Sequence, residues 1–421
     1  MYQRVGKAAY KEGLENTYKL DDYFRSPHRN YATIHVAGTN GKGSVCHMLA
    51  SVLQHAGYKT GLHTSPHLLD FRERFRVNGQ MMNEDFVTVF VNDHKDFFDR
   101  IKPSFFEMSV FMAFEYFLRE QVDIAIIEVG LGGRLDSTNI ISPELSVVTN
   151  IGLDHTEFLG NSLAIIASEK GGIIKNETPV VIGEKQKETQ PVFERIASQK
   201  KAPLYYAQDS YESIYSTLSA NGKQLIRIIN RLSSEQLSLE TDLLGLYQKK
   251  NTVTCLKSLD ILKDRGWQIQ KNAVEKGLNT VKSSTGLMGR WQICGNNPLI
   301  VCDTAHNYEG LTEVTEQIRH TPFHKLHMVM GFVVEKDLSR IMKILPADAT
   351  YYFLRPSVPR GLDSNKLLDI AAQSGLKGNA YDHISSAMEE VRKNAGIDDL
   401  VFIGGSTFLV ADFLKFNAGS L

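Results

Sequence analysis

Ile34-His35-Val36-Ala37-Gly38-Thr39-Asn40-Gly41-Lys42-Gly43-Ser44-Val45 is the stretch whose reading decides the fold. The apolar run at 34–36 reads as a buried strand, and the pattern from about Val45 to His55 reads as a helix. A glycine-rich turn between a strand and a helix leaves backbone N–H groups free at the positive end of the helix dipole, where they hold phosphate. The reading therefore puts Thr39, Asn40, Gly41, Lys42, Gly43 and Ser44 around a phosphate group, with the Lys42 ammonium reaching β- and γ-phosphates and the Ser44 hydroxyl facing a magnesium ion. The strict phosphate-loop pattern is not met. Val36 occupies its first glycine position and Gly43 separates Lys42 from Ser44, so this is a variant loop.

Outward from the loop, Thr60-Gly61-Leu62-His63 completes a strand–helix–strand unit, the signature of a parallel sheet. The runs at 124–127, 146–149 and 180–182 extend that sheet with continuous apolar or β-branched residues. Between Tyr211 and Leu239 a hairpin is expected at the sheet's margin, with Asn221-Gly222 supplying the positive φ angles of its turn. The small polar stretch Lys282 to Gly286 reads as a linker, which places one domain at 1–284 and a second at 285–421. In the second, strand-like runs at 299–302, 327–330, 351–354 and 400–403 alternate with helical stretches, as in an open doubly wound sheet. The fold class is thus α/β, with a phosphate-loop-type, mostly parallel sheet flanked by helices and a smaller Rossmann-like C-terminal domain.

Composition narrows the partners. Lys and Arg number 47 against 48 Asp and Glu, a formal net charge of −1 that offers no global field for nucleic acid or an anionic membrane. Four cysteines form no CxxC pair and read as reduced packing residues, and no run of eighteen apolar residues occurs. A cytoplasmic enzyme acting on small molecules, and a monomer, are the expectations.

Several side chains fall at predicted strand ends, where open α/β sheets bind ligands. Glu128 closes the run 124–127 ahead of a glycine-rich segment; magnesium shared with phosphate would satisfy it, and an ion pair with Arg134 is the plain alternative. His155 lies beyond the next strand, as a second metal ligand or an imidazole hydrogen-bonded by Asp154. Lys170 reads by itself as half of a solvated pair with Glu169. In the second domain, Arg290 is a candidate for stabilising phosphoryl charge, and Asp303 for a ribose hydroxyl or an amine; both are expected to face an interdomain cleft.

Together these segments resemble the folylpolyglutamate synthase and dihydrofolate synthase family of the Mur ligase superfamily. The likeness runs through nearly the whole chain: His35 to Ser44, Thr64 to Leu68, Glu73 to Gly79, Phe106-Glu107, Glu128 to Asn139, Asn150 to Gly160, Glu169 to Lys175, Gly289-Arg290, Asp303 to Asn307, Lys336-Asp337 and Gly405-Ser406. It implies an amide ligase that uses ATP and two Mg²⁺ ions to join L-glutamate to dihydropteroate or a folate through an acyl phosphate. Ser44, Ser65, Glu128 and His155 then correspond to metal ligands, and Lys170 to a lysine that becomes carbamylated. Asn251, Arg290, Asp303 and His306 correspond to nucleotide contacts, Phe106 and Asp154 to the pterin site, and Ser406 to the glutamate site. A monovalent cation is a further implied cofactor. Thr304 stands where glycine is usual, Tyr308 where proline is, and Glu335 where aspartate is.

Two other readings compete with this one. A muramyl-peptide ligase shares the chemistry but carries a uridine-nucleotide domain ahead of its loop, and only 37 residues precede Gly38. A nucleotide-hydrolysing switch would need a guanine-reading Asn-Lys-x-Asp motif; Asn365-Lys366 is instead followed by Leu367-Leu368.

Overall fold

The computed structural model describes residues 13–418, which separate into two compact units: 13–242 with Tyr247–Leu287, and Leu243–Leu246 with 288–418. The first unit is built on an eight-stranded sheet. Its strands are β1 (Ala32–Ala37), β2 (Thr60–His63), β3 (Phe75–Val77), β4 (Gln80–Met81), β5 (Ile124–Glu128), β6 (Leu145–Val148), β7 (Val180–Ile182) and β8 (Leu204–Tyr206). Their spatial order is β4-β3-β2-β5-β1-β6-β7-β8. The six strands from β2 to β8 in that order pair in parallel, while β3 and β4 add an antiparallel margin.

Helix Lys42–His55 is enclosed within the first unit. Every residue from Ser44 to Leu53 is buried, because helices Gln248–Asp264 and Lys271–Asn279 pack on it as well as the sheet. The Ser51 hydroxyl is satisfied inside this layer by donating to the Gly277 carbonyl at 2.7 Å. Gly277 is required there, since a Cβ would strike the Val52 backbone of the facing helix.

The expected hairpin is a separate three-stranded antiparallel sheet of β9 (Tyr211–Leu218), β10 (Gln224–Asn230) and β11 (Gln236–Thr241), in the order β11-β10-β9. Alternation is clean on β10: Ile226 and Ile228 are buried while Arg227 is exposed. The turn departs from expectation. Gly222 alone takes a positive φ, 70°, so the connection is longer than the two-residue turn Asn221-Gly222 suggested, closing from Ser219 to Lys223.

The second unit holds six strands: β12 (Gln292–Asn296), β13 (Leu299–Cys302), β14 (Leu326–Met330), β15 (Thr350–Leu354), β16 (Lys377–Tyr381) and β17 (Leu400–Gly404). They lie in the order β12-β13-β17-β14-β15-β16, parallel except for β12. Val301, Met328, Tyr351, Phe353 and Phe402 form the middle of its core, with Leu311, Val314 and Ile318 of helix Tyr308–Arg319 closing over them. This is the doubly wound arrangement that the strand–helix alternation predicts.

Candidate functional site

Strand register assembles the site in the first unit. Val36 pairs with Glu128, His63 with Ile127, and Ala37 with Val148, so β1, β2, β5 and β6 end at one edge. The segments leaving that edge are the glycine-rich loop, Thr64 to His67, Gly130 to Asp136 and Thr149 to His155. Four chain segments far apart in sequence meet there because parallel strands all point their carboxyl ends the same way.

The loop is held open from beneath. The Asn40 amide donates to the Asn150 side chain at 2.9 Å, Thr39 N donates to Asn150 O at 2.9 Å, and the Gly152 amide donates to the Thr39 hydroxyl at 2.9 Å. Thr149 Oγ1 donates to Asn40 O at 2.6 Å. Gly41, the residue before the helix, has φ 83°, and a Cβ on it would run into the Asn251 side chain. Asn251 is fixed by donating to Gln248 at 2.8 Å, and Gln248 donates to the Ser44 hydroxyl at 3.2 Å. Lys42 Nζ folds back on its own loop, donating to Gly38 O at 3.0 Å and Thr39 O at 3.1 Å. Thr149, Asn150 and Gln248 are supporting residues that residue-by-residue reading did not assign; the signal for the first two was their place just past a strand, beside the residues already singled out.

Glu128 is buried and accepts the Ser65 amide at 3.1 Å. Its anticipated competitor is absent: Arg134 bonds to Glu169 instead, at 3.0 Å. Buried Arg74 lies near enough to interact electrostatically with Glu128, and bonds through Nε to His67 at 2.9 Å. Among the described residues, no three His, Cys, Asp or Glu side chains converge as a metal cage. The donor set at this edge nonetheless suits magnesium, which takes one or two carboxylates, hydroxyls and nucleotide phosphate oxygens rather than an all-protein cage. His155, in the left-handed region at φ 51°, opens a short helical turn with a partly exposed side chain. Its imidazole stands 3.9 Å from Asp154, too far for the orienting hydrogen bond considered above; Asp154 accepts the His155 backbone amide at 2.9 Å instead.

Lys170 overturns its plain reading most clearly. Glu169 turns out to Arg134, whereas Lys170 turns inward, is 5% exposed, and donates from Nζ to Gly38 O at 2.8 Å. Burial, reinforced by the nearby Lys42 ammonium, pulls its pKa down to about 7. Phe106 lies at the start of helix Phe105–Arg119, with its ring against Gly130, where any side chain would collide with it.

In the second unit, β13 and β17 are neighbours, with Cys302 opposite Ile403, so Asp303 and Ser406 leave the same edge. Both Asp303 oxygens take backbone amides, Trp291 N at 2.7 Å and Ala305 N at 2.8 Å. The Arg290 guanidinium bonds to Gly289 O at 3.1 Å and to the Thr304 hydroxyl, so the threonine that stands in place of glycine supports the arginine. His306 Nδ1 faces Thr304 O at 2.9 Å. Ser406 Oγ accepts the Leu409 amide at 3.1 Å as the cap of helix Thr407–Ala418.

Residues 36–259 match the Mur ligase middle domain, and residues 289–407 match the glutamate ligase domain of Mur ligases. The chain is 32% identical over 382 residues to the dihydrofolate synthase/folylpolyglutamate synthase of Escherichia coli, covering 90% of this chain and 85% of that protein. The chain belongs to the dihydrofolate synthase and folylpolyglutamate synthase family. It is therefore an ATP-dependent ligase, and the muramyl-peptide and switch readings are not favoured. The ligase is also 30% identical over 410 residues to a probable bifunctional folylpolyglutamate synthase/dihydropteroate synthase of Haloferax volcanii, of which it spans about half, 48%, against 96% of its own length. Among solved structures, E. coli FolC in complex with DHPP and ADP superposes with a TM-score of 0.87 at 29% identity, over 99% of this chain and 96% of that one. A bifunctional synthase with Mn, AMPPNP and L-glutamate bound gives 0.84 at 27% identity, over 98% and 95%. Among the described residues of the ligase, no helix is long and apolar enough to cross a membrane.

Proposed function

We propose that this ligase joins L-glutamate to both dihydropteroate and reduced folates, producing ADP and phosphate, and that it works as a cytoplasmic monomer. The observation that carries the reading is the convergence on Gly38: Lys42 and Lys170 both donate to its carbonyl, and Glu128 closes the adjacent strand. The Lys42 ammonium and the loop amides match the phosphate charge of a nucleotide triphosphate, and Glu128, with Lys170 once carbamylated, suits its metal. The ligands that the two solved relatives are described with, a nucleotide, Mn, DHPP and L-glutamate, support the same substrate classes.

In this reading the amides of Thr39 to Gly43 and the Lys42 ammonium hold the ATP phosphates, with Asn251 supporting the turn. Glu128, Ser44 and Ser65 would hold one Mg²⁺ and His155 a second; the metal supplies charge neutralisation on the transferring phosphoryl group. An oxygen of the acceptor carboxylate attacks the γ-phosphorus in line, the bond to the β-phosphate oxygen breaks, and ADP leaves behind an acyl phosphate. The neutral α-amine of glutamate then adds to the activated carbonyl, and phosphate departs with the bonding electrons as the amide forms. Arg290 stabilises phosphoryl charge, His306 and Asp303 serve the nucleotide and the incoming amine, and Phe106, Asp154 and Ser406 bound the pterin and glutamate sites.

Carbamylation of Lys170 fits its chemistry. An amine attacks carbon dioxide only when neutral, and a group with a pKa of about 7 is substantially neutral in the cell, where an ordinary lysine is not. The product exchanges a buried ammonium for an anionic oxygen donor that a metal can use. A monovalent cation is the remaining cofactor of this reading. The deciding experiment is ADP release by the full chain with ATP, Mg²⁺ and glutamate, comparing dihydropteroate with tetrahydrofolate. Glutamate-dependent release with both acceptors is expected; release with one alone would refute dual use, and release with neither would refute the ligase reading.

A further inference from the structure

Two of the four cysteines sit side by side on the β12–β13 hairpin. Gln292 pairs with Cys302, Ile293 with Val301 and Gly295 with Ile300, which leaves Cys294 as the extra residue of a β-bulge. The bulge sets its sulfur 3.7 Å from that of Cys302 across the strand pair. Cys294 is partly exposed and Cys302 is buried behind it. We propose that Cys294 and Cys302 are a modification site: a dithiol that peroxides oxidise to an intramolecular cross-strand disulfide.

A disulfide needs sulfurs about 2.0 Å apart, so the pair has to close by about 1.7 Å, within reach of side-chain rotation at a bulge on an edge strand. The chemistry balances in two steps. The Cys294 thiolate attacks one oxygen of the peroxide, the O–O bond breaks, and sulfenic acid and water (or an alcohol) result. Cys302 then attacks the sulfenic sulfur, the S–S bond forms, and a second water leaves; two thiols have given two electrons to one peroxide. Exposure selects the order, since an oxidant meets Cys294 first and Cys302 is placed to resolve it. Cys46 and Cys255, wholly buried and with burial raising both thiols, act as internal controls. The location has weight because Cys302 immediately precedes Asp303, whose carboxylate fixes the Trp291 amide next to Arg290.

The test treats the native full chain with hydrogen peroxide, blocks remaining thiols by alkylation, and maps peptides by mass. Loss of two of the four thiols, a linked peptide pair containing Cys294 and Cys302, and recovery of both by dithiothreitol are expected. In Cys302→Ser the oxidation should stop at a Cys294 sulfenic acid that dimedone captures. Continued alkylation of both cysteines after treatment, or Cys294 oxidised to sulfinic acid with Cys302 still free, would overturn the proposal. The wild-type map decides the matter by itself if that variant does not fold.

Discussion

Lys170 was legible only as a charge on a helix; the direction it takes was not. Helical spacing puts Glu169 and Lys170 on adjacent faces, and which one turns inward depends on a carbonyl 132 residues away, at Gly38. A local reading has no access to that partner, whereas the resemblance to a family did, because it compares whole chains. Glu128 was more legible, since a carboxylate closing an apolar run is conspicuous by itself. The proposed carbamate gives a pH test. The Lys170 pKa of about 7 means that the neutral amine grows as pH rises through that value and is lost as pH falls below it. With ¹³C-bicarbonate, a carbamate resonance should appear at about pH 8, fade at about pH 6 and be absent from Lys170→Ala at both. A signal of equal size in that variant would place the modification elsewhere. The same shift makes folding respond to pH. Unfolding takes up a proton between about 7 and the ordinary lysine value of 10.5, so stability of the uncarbamylated protein rises with pH across that window. In CO₂-free buffer, Lys170→Met should lose up to about 1.4 kcal/mol per pH unit of that slope in urea titrations.

At the scale of elements, parallel strands made the phosphate loop legible. The runs beginning at Ile34, Thr60, Ile124 and Val180 are strands because their side chains are buried on both faces, and such runs have no competing periodicity. Helix Lys42–His55 begins three residues earlier than the apolar pattern, since its first turn is made by glycine and serine whose role is to offer amides. The turn at Asn221-Gly222 was misread because an Asn-Gly pair suits two turn geometries, and the length of the flanking strands selects between them. Gly41 supplies the element's own test. Its φ of 83° and its contact with Asn251 both exclude a side chain, so Gly41→Ala should cost about 1–3 kcal/mol of stability and raise the KM for ATP at least tenfold. Thermal unfolding and initial rates at varied ATP check both; an unchanged KM would mean that the turn does not shape the nucleotide site.

For the whole molecule, the loop and Glu128 belong to the first unit and Arg290 to the second. The division falls at Leu287, close to the small polar stretch, but Leu243–Leu246 joins the second unit through hydrogen bonds between Gln317 and both Leu244 and Leu246. Nothing in the local composition of that short segment advertises this. Arg290→Ala should lower kcat by about 10²–10³-fold and weaken ATP binding far less, as expected for a group that acts mainly on charge developing during transfer. Equal losses in binding and turnover would assign it to substrate binding instead. The central claim is that ATP activates the acceptor by phosphorylating its carboxylate at the Gly38 loop. The most direct measurement uses an acceptor labelled with ¹⁸O in that carboxylate and analyses the phosphate released. Transfer of one labelled oxygen into inorganic phosphate is predicted; unlabelled phosphate, or label in AMP, would contradict the account.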